Sequence, residues 1–184
     1  MAQPSMPQQA QGHDDNDIKV GTRIESENTA VRQQIFDAMA DMSWQEFESN
    51  FLESILEGLG FTDIAITQRS RDGGADAFCT YKRGLVESTA IVSAKHRKTQ
   101  NVGIDEIQRV RGIVNPADTA IIVTSAAFSR EAIKEASPAM NVRPVSLIDG
   151  QLIVDTCVRA QIGVEAVALP LLYRFTGFND DDVA

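Results

Sequence analysis

The run Ala120-Ile121-Ile122-Val123, inside Thr119–Thr124, carries no polar side chain. A strand with one wet face alternates polar and apolar residues, whereas one that is apolar at every position is covered on both faces. Such a strand needs helices above and below its sheet, and the flanking sequence supplies them. Residues 103 to 114 place Ile104, Ile107, Val110 and Val114 at helical spacing, and Asn115-Pro116 ends the pattern. Ser129 is a helix N-cap with Phe128 and Ile133 in staple positions, and Pro138 stops that helix. Helix, strand and helix in alternation predict an α/β fold with parallel crossovers in this half of the chain.

The preceding residues follow another rhythm. Residues 61–67, 76–81 and 89–95 read as short strands, with Lys82-Arg83-Gly84 as a hairpin loop. The sheet is therefore expected to be mixed, antiparallel at its start. Before it, Ser43 and Glu46 form a capping box, Met42 and Phe47 stand in staple positions, and Gly60 is an αL stop. At about 100° per residue from Phe47, Phe51, Ile55, Leu59, Leu52 and Leu56 span one apolar arc with Glu48 inside it. A carboxylate pointing into a core must be paired, protonated or metal-bound. Glu48 is thus a candidate ligand. Downstream, residues 142–148 read as a strand, Asp149-Gly150 as a turn and 151–160 as the last helix.

These elements define one domain over residues 43–165. Residues 1–17, rich in Gln, Pro and Asp, are expected to be disordered. Residues 18–42 form an arm with helical spacing at Val31, Ile35, Ala38 and Met39, and 166–184 form a C-terminal tail. No apolar run reaches a membrane-spanning length, and no basic patch with an apolar stretch opens the chain. The two cysteines, Cys79 and Cys157, do not make a disulfide framework, which points to a reducing, cytoplasmic setting. The net charge is −9, yet residues 67–111 hold nine Lys/Arg against five Asp/Glu. A basic island in an acidic chain fits a polyanionic partner.

Two side chains stand out in that island. Residues two apart on a strand share a face, so Ser93 and Lys95 point together while Ala94 points away. The turn Asp72-Gly73-Gly74-Ala75-Asp76 delivers a carboxylate to the start of the neighbouring strand. Asp76 beside Lys95 would set a carboxylate next to an ammonium group at the end of a sheet. Such a pair can serve a divalent cation and a phosphate.

With these residues in order, the chain resembles the Mrr-like restriction endonucleases of the PD-(D/E)xK nuclease superfamily. The matching pieces are Trp44-Gln45, Phe47-Glu48, Leu59-Gly60-Phe61, Asp72 to Asp76, Ile91 to Lys95, Val102-Gly103, Ile122-Val123-Thr124-Ser125 and Leu147-Ile148-Asp149-Gly150. The resemblance covers about residues 43–155. It implies a three-layer α/β/α sandwich of the restriction-endonuclease type around a mixed sheet. It also implies a DNA endonuclease that hydrolyses phosphodiester bonds with Mg²⁺ (or Mn²⁺), in restriction or defence. In that pattern Asp76 holds the metal, Glu48 completes the metal site, and Lys95 acts on the attacking water and the phosphate. Arg71, Arg97 and Lys98 are candidate DNA contacts.

One position departs from the pattern. Two residues before the lysine the family usually has Glu or Gln, and this chain has Ser93. A hydroxyl is a weaker metal ligand than a carboxylate. The alternative reading is a catalytically degenerate subunit that keeps the nuclease fold for DNA binding or as a scaffold. The 42 residues before the domain are too few for a recognition domain, so target choice would come from a homodimer, from a separate DNA-recognition subunit, or from DNA structure rather than sequence.

Overall fold

The computed structural model describes residues 12–67, 74–113, 119–137 and 143–167. Arg71, Asp72 and Gly73, and the stops at Asn115-Pro116 and Pro138, lie outside them. The elements run α1 (Gly12–Asp41), α2 (Trp44–Glu46), a π-helical turn (Phe47–Phe51), α3 (Leu52–Gly58), β1 (Thr62–Ile66), β2 (Ala77–Arg83), β3 (Val86–Lys95), α4 (Ile104–Ile113), β4 (Thr119–Thr124), α5 (Arg130–Ala136), β5 (Val145–Ile148) and α6 (Gly150–Ala160).

The sheet has the order β1-β2-β3-β4-β5. Its first three strands are antiparallel neighbours, and β3-β4 and β4-β5 are parallel. The expected mixed sheet is therefore present, with β3 as the strand where direction changes. Alternation along β3 divides the core. Ala90, Val92 and Ala94 join Ile121, Val123, Ile148 and residues of α1, the π-turn, α3 and α6 in one cluster. Ile91 joins Ala120, Ile122, Ile107, Val110 and Ala132 in the other, under α4 and α5. Helices thus cover both faces, giving three layers. Every residue of β4 from Ala120 to Thr124 is buried, as its unbroken apolar run requires.

Local signals explain most boundaries. Both arms of the capping box form: Ser43 Oγ accepts from Glu46 N at 3.2 Å, and Glu46 Oε2 accepts from Ser43 N at 2.7 Å. Ser129 caps α5 through Ala132 N at 3.1 Å, and Asp149 caps α6 through Leu152 N at 2.9 Å.

Three expectations change. Helix α1 begins at Gly12, so the last residues of the stretch assigned to disorder are helical. The β2–β3 hairpin turns at Gly84-Leu85, with Arg83 paired to Val86 and φ of +64° at Gly84. Lys82 and Arg83 are therefore strand residues; an exposed leucine in the turn disguised it. Finally, the helix after Ser43 is not uniform. Leu52 N donates to Phe47 O, five residues back, and Ser49 leaves helical geometry at φ −119°, ψ −114°. An α-helix would set Phe47 and Leu52 about 140° apart, but the wider turn stacks them on a common face, and both are buried.

Candidate active site

Strand β2 starts at Ala77, paired with Val92, so the β2–β3 ladder ends one step from Asp76. Asp76 N still donates to Val92 O at 2.8 Å, and Thr67 N donates to Asp76 O at 3.0 Å. The backbone of Asp76 is thus pinned between β1 and β3. Its carboxylate then continues the ladder in place of a backbone carbonyl: Ala94 N donates to Oδ2 at 2.7 Å. A charge-assisted bond of this kind fixes the carboxylate's orientation.

Ser93 and Lys95 project from the same face of β3, toward α4. Ser93 is completely buried, and its Oγ lies 3.3 Å from Asp76 Oδ2 and 3.3 Å from Glu106 Oε1. One hydroxyl proton can serve only one of these oxygens at a time. Lys95 Nζ lies 3.5 Å from Asp76 Oδ2 and 3.7 Å from Glu106 Oε1, and donates to Ala94 O at 2.9 Å. Helix α4 completes the cluster. Its Ile107 and Val110 are buried against the sheet, which turns Glu106 and Arg109, one position earlier in each case, toward the end of β3. Arg109 binds Glu106 through both Nε and Nη2, and Nη2 also donates to Ser93 Oγ at 3.0 Å.

Two carboxylates and two cations therefore face one buried hydroxyl. Burial alone would raise the Glu106 pKa. The bond from Arg109, the charges of Lys95 and Arg109 and the bond from Ser93 outweigh it and hold Glu106 below the usual carboxylate range. Arg109 is raised in turn, first by its bond to Glu106. The outer wall is a cleft of about 250 Å³ lined by Lys95, Arg97, Gln100, Asn101, Asp105 and Glu106, among others.

Asp76, Ser93 and Lys95 are thus brought together, and Arg97 lines the adjoining cleft. Lys98 is exposed on the loop after β3. Arg71 lies outside the described residues. Glu48 sits half-buried in the π-turn. Among the described residues no three His, Cys, Asp or Glu side chains lie close enough to hold one ion, so Glu48 does not join Asp76 and Glu106 as a third carboxylate. Glu106 had no place among the sequence candidates, and Arg109 counted there only as part of the basic island. The available signal was the missing carboxylate at Ser93 together with an acidic residue beside the buried stripe of the next helix.

His96 points to the other face. Its ring stacks on Phe47 with centroids 5.1 Å apart, Nε2 lies 2.9 Å from Met42 O, and Nδ1 lies 3.0 Å from Ser125 Oγ. It fastens the π-turn to the end of β3. Arg111 is likewise structural, joining α4 to Glu135 of α5 and to Arg143 O.

The model of the Mrr_cat family, described as restriction endonuclease, matches residues 39–157. The chain belongs to that family. The Mrr_cat match spans every element that builds the site, from the π-turn into α6. Two solved structures share the fold. One is the MspJI restriction endonuclease in complex with a 27-mer oligonucleotide, with TM-score 0.52, 21% identity and 87% of this chain covered. The other is the DNA modification-dependent restriction endonuclease AspBHI, with TM-score 0.56, 20% identity and 89% covered. The aligned region is 35% and 41% of those chains, so this Mrr_cat chain corresponds to well under half of either enzyme. None of the curated proteins compared with the sequence matches it. No helix among the described residues is long and apolar enough to cross a membrane.

Proposed function

We propose that this chain is the catalytic domain of a metal-dependent DNA endonuclease that hydrolyses phosphodiester bonds. The observation that carries the reading is the convergence of Asp76 and Glu106 on the buried Ser93, with Lys95 beside both carboxylates. In the family pattern the second carboxylate comes from the strand, two residues before the lysine. Here Glu106 reaches the same spot from α4, with its Oε1 3.3 Å from the serine hydroxyl. The serine then favours a relocated ligand rather than a degenerate scaffold.

The donor set suits Mg²⁺ or Mn²⁺. Asp76, Glu106 and Ser93 offer hard oxygen atoms, and Mg²⁺ is commonly held by one or two carboxylates with waters and substrate phosphate completing its shell. When bound, such a cation supplies Lewis-acid charge against the negative charge that develops on the phosphate. Glu48, half-buried in the π-turn, is the further carboxylate that the family resemblance assigns to the metal site. The chain's own groups do the rest. Lys95, beside both carboxylates, presents its ammonium to the scissile phosphate and the attacking water. Ala94 N and Ser93 hold Asp76 and Glu106 in place. In the reaction the water oxygen bonds to phosphorus and one ester P–O bond breaks. The water gives one proton to solvent, and the departing oxygen takes one from solvent and leaves as a hydroxyl.

Arg97 and Lys98 contact the DNA backbone around that point, and Arg71 is a further DNA contact read from the sequence. A homodimer, or a separate DNA-recognition subunit, supplies target choice, and restriction of foreign DNA in the cytoplasm is the setting we assign. Plasmid nicking with Mg²⁺ or Mn²⁺ tests the reading. Wild type is expected to cleave, and Asp76→Asn, Glu106→Gln and Lys95→Ala are each expected to lose at least about 100-fold. Equal cleavage by wild type and all three variants refutes it.

A further inference from the structure

We infer that Arg109 is a parked substrate-binding residue: it neutralises Glu106 until a divalent cation takes that carboxylate, and then serves the scissile phosphate. This rests on the nuclease reading above and adds a residue to it.

Three observations carry the inference. The first is charge. Asp76 and Glu106 are balanced by Lys95 and Arg109, so the cluster is neutral as it stands. Adding a divalent cation leaves it two positive charges in excess. A phosphodiester carries one negative charge and gains another as water adds to phosphorus, which restores neutrality. Arg109 is therefore surplus to the carboxylates once a cation is bound, and matched to the reacting phosphate.

The second is contact. Arg109 Nη2 binds Glu106 Oε1 and Ser93 Oγ, and that hydroxyl also lies 3.3 Å from Asp76 Oδ2 and 3.3 Å from Glu106 Oε1. A guanidinium and a divalent cation on one carboxylate oxygen repel each other, so the two compete. The third is room to leave. The Arg109 side chain keeps 37% of its surface exposed although it reaches a buried serine. Its inner edge lies on Gly74, where φ is +102° and a Cβ would stand 1.9 Å from Nη1. The glycine turn that delivers Asp76 thus also provides the flat surface on which the guanidinium rests. A planar fork of donors that can move from carboxylate to phosphate is what arginine offers and lysine does not.

The test pairs cation binding with cleavage, using the full chain and the variants Arg109→Gln and Arg109→Lys. Mn²⁺ binding is measured by titration calorimetry without DNA, and cleavage is measured at saturating Mn²⁺. Arg109→Gln is expected to bind Mn²⁺ roughly 10-fold more tightly, because a competing charge is gone. It is also expected to cleave at least about 10-fold more slowly, because a phosphate partner is gone. Arg109→Lys, which keeps the charge, should bind Mn²⁺ within about 3-fold of wild type.

Weaker or unchanged Mn²⁺ binding by Arg109→Gln overturns the inference, since Arg109 would then be a support for Glu106. Tighter binding with undiminished cleavage overturns the phosphate role. A wild-type chain that binds Mn²⁺ but cleaves no DNA refutes the nuclease reading instead, and the binding comparison still decides whether Arg109 competes with the cation.

Discussion

If Glu106 stands in for a strand carboxylate, the two positions should be exchangeable, and the exchange can be weighed. Ser93→Glu puts a third carboxylate into a buried site that already holds two. Overpacking a well-filled site costs about 1–3 kcal/mol. The added charge meets two anions and two cations at similar distances, so its pairwise terms nearly cancel, and the net cost is about 2–3 kcal/mol. Glu106→Ala strands Arg109 and Lys95 opposite Asp76 alone. Removing one member of a buried ion pair costs 3–5 kcal/mol. The pair here is partly wet, with side-chain exposures of 37% and 18%, which brings the figure to about 2–3 kcal/mol.

Independent sites would add, giving about 5 kcal/mol for the double variant. Exchange predicts about 2 kcal/mol, because the carboxylate lost from α4 returns from β3 with similar volume and charge. The coupling is then about 3 kcal/mol in favour of the double variant. Urea unfolding of the four proteins, followed by the midpoint and slope, measures it, and Mn²⁺ titration supplies a second reading. Ser93→Glu/Glu106→Ala should also bind Mn²⁺ more tightly than Glu106→Ala alone. Additive destabilisation, with no recovery of Mn²⁺ binding, would refute the claim that Glu106 and the strand position serve one purpose.

Gly74→Ala should destabilise by about 1–3 kcal/mol, since φ of +102° strains any L side chain and the new Cβ evicts Arg109. Removing Arg109 as well should recover only the steric part, measurable by thermal unfolding. The depressed Glu106 pKa gives a pH signature. Its stabilisation is fully present above the ordinary value of 4.5 and is lost as pH falls through the lower folded value. The stability gap between wild type and Glu106→Gln should therefore narrow below pH 4.5, and a gap that stays constant there contradicts the assignment. Burial pushes the Cys79 thiol up to about 11 and raises Cys157 in the same direction. Both should resist iodoacetamide at pH 8 in the native protein, and rapid labelling would show that the core opens.

Much of the fold was legible because its signals are local. The apolar run at Ala120–Val123, the caps at Ser43 and Ser129, the turn at Asp149-Gly150, and the spacing of Ile107 and Val110 each depend on near neighbours in sequence. The hairpin was misplaced because Leu85 is apolar in a turn, a choice that only exposure explains. The angular placement of Glu48 met a related obstacle. It assumed 100° per residue, and the π-turn after Glu46 breaks that assumption by moving Phe47 above Leu52. The sequence carries no sign of that turn. It exists because Phe47 has somewhere to go, against His96 and the core.

The site was legible only in part, and Glu106 shows where the reading stops. Asp76 and Lys95 could be paired from sequence because Lys95 ends one strand and Asp76 immediately precedes its neighbour, and the side-chain period of strands fixes faces. Glu106 belongs to a helix, and which strand residue a helix overhangs depends on the crossover between them. Yet Ser93 contained half the answer. A serine that is wholly buried beside an aspartate leaves a gap where a longer side chain would reach. Such a gap in a charged site needs an occupant from elsewhere. The next helix supplies it, and supplies Arg109 with it because residues three apart share a helix face. The substitution on β3 and the ion pair on α4 are therefore one feature. Glu106 has no physical reason to point inward if position 93 carries its own carboxylate, whereas Arg109, already 3.0 Å from the Ser93 hydroxyl, stays beside whichever carboxylate fills the gap.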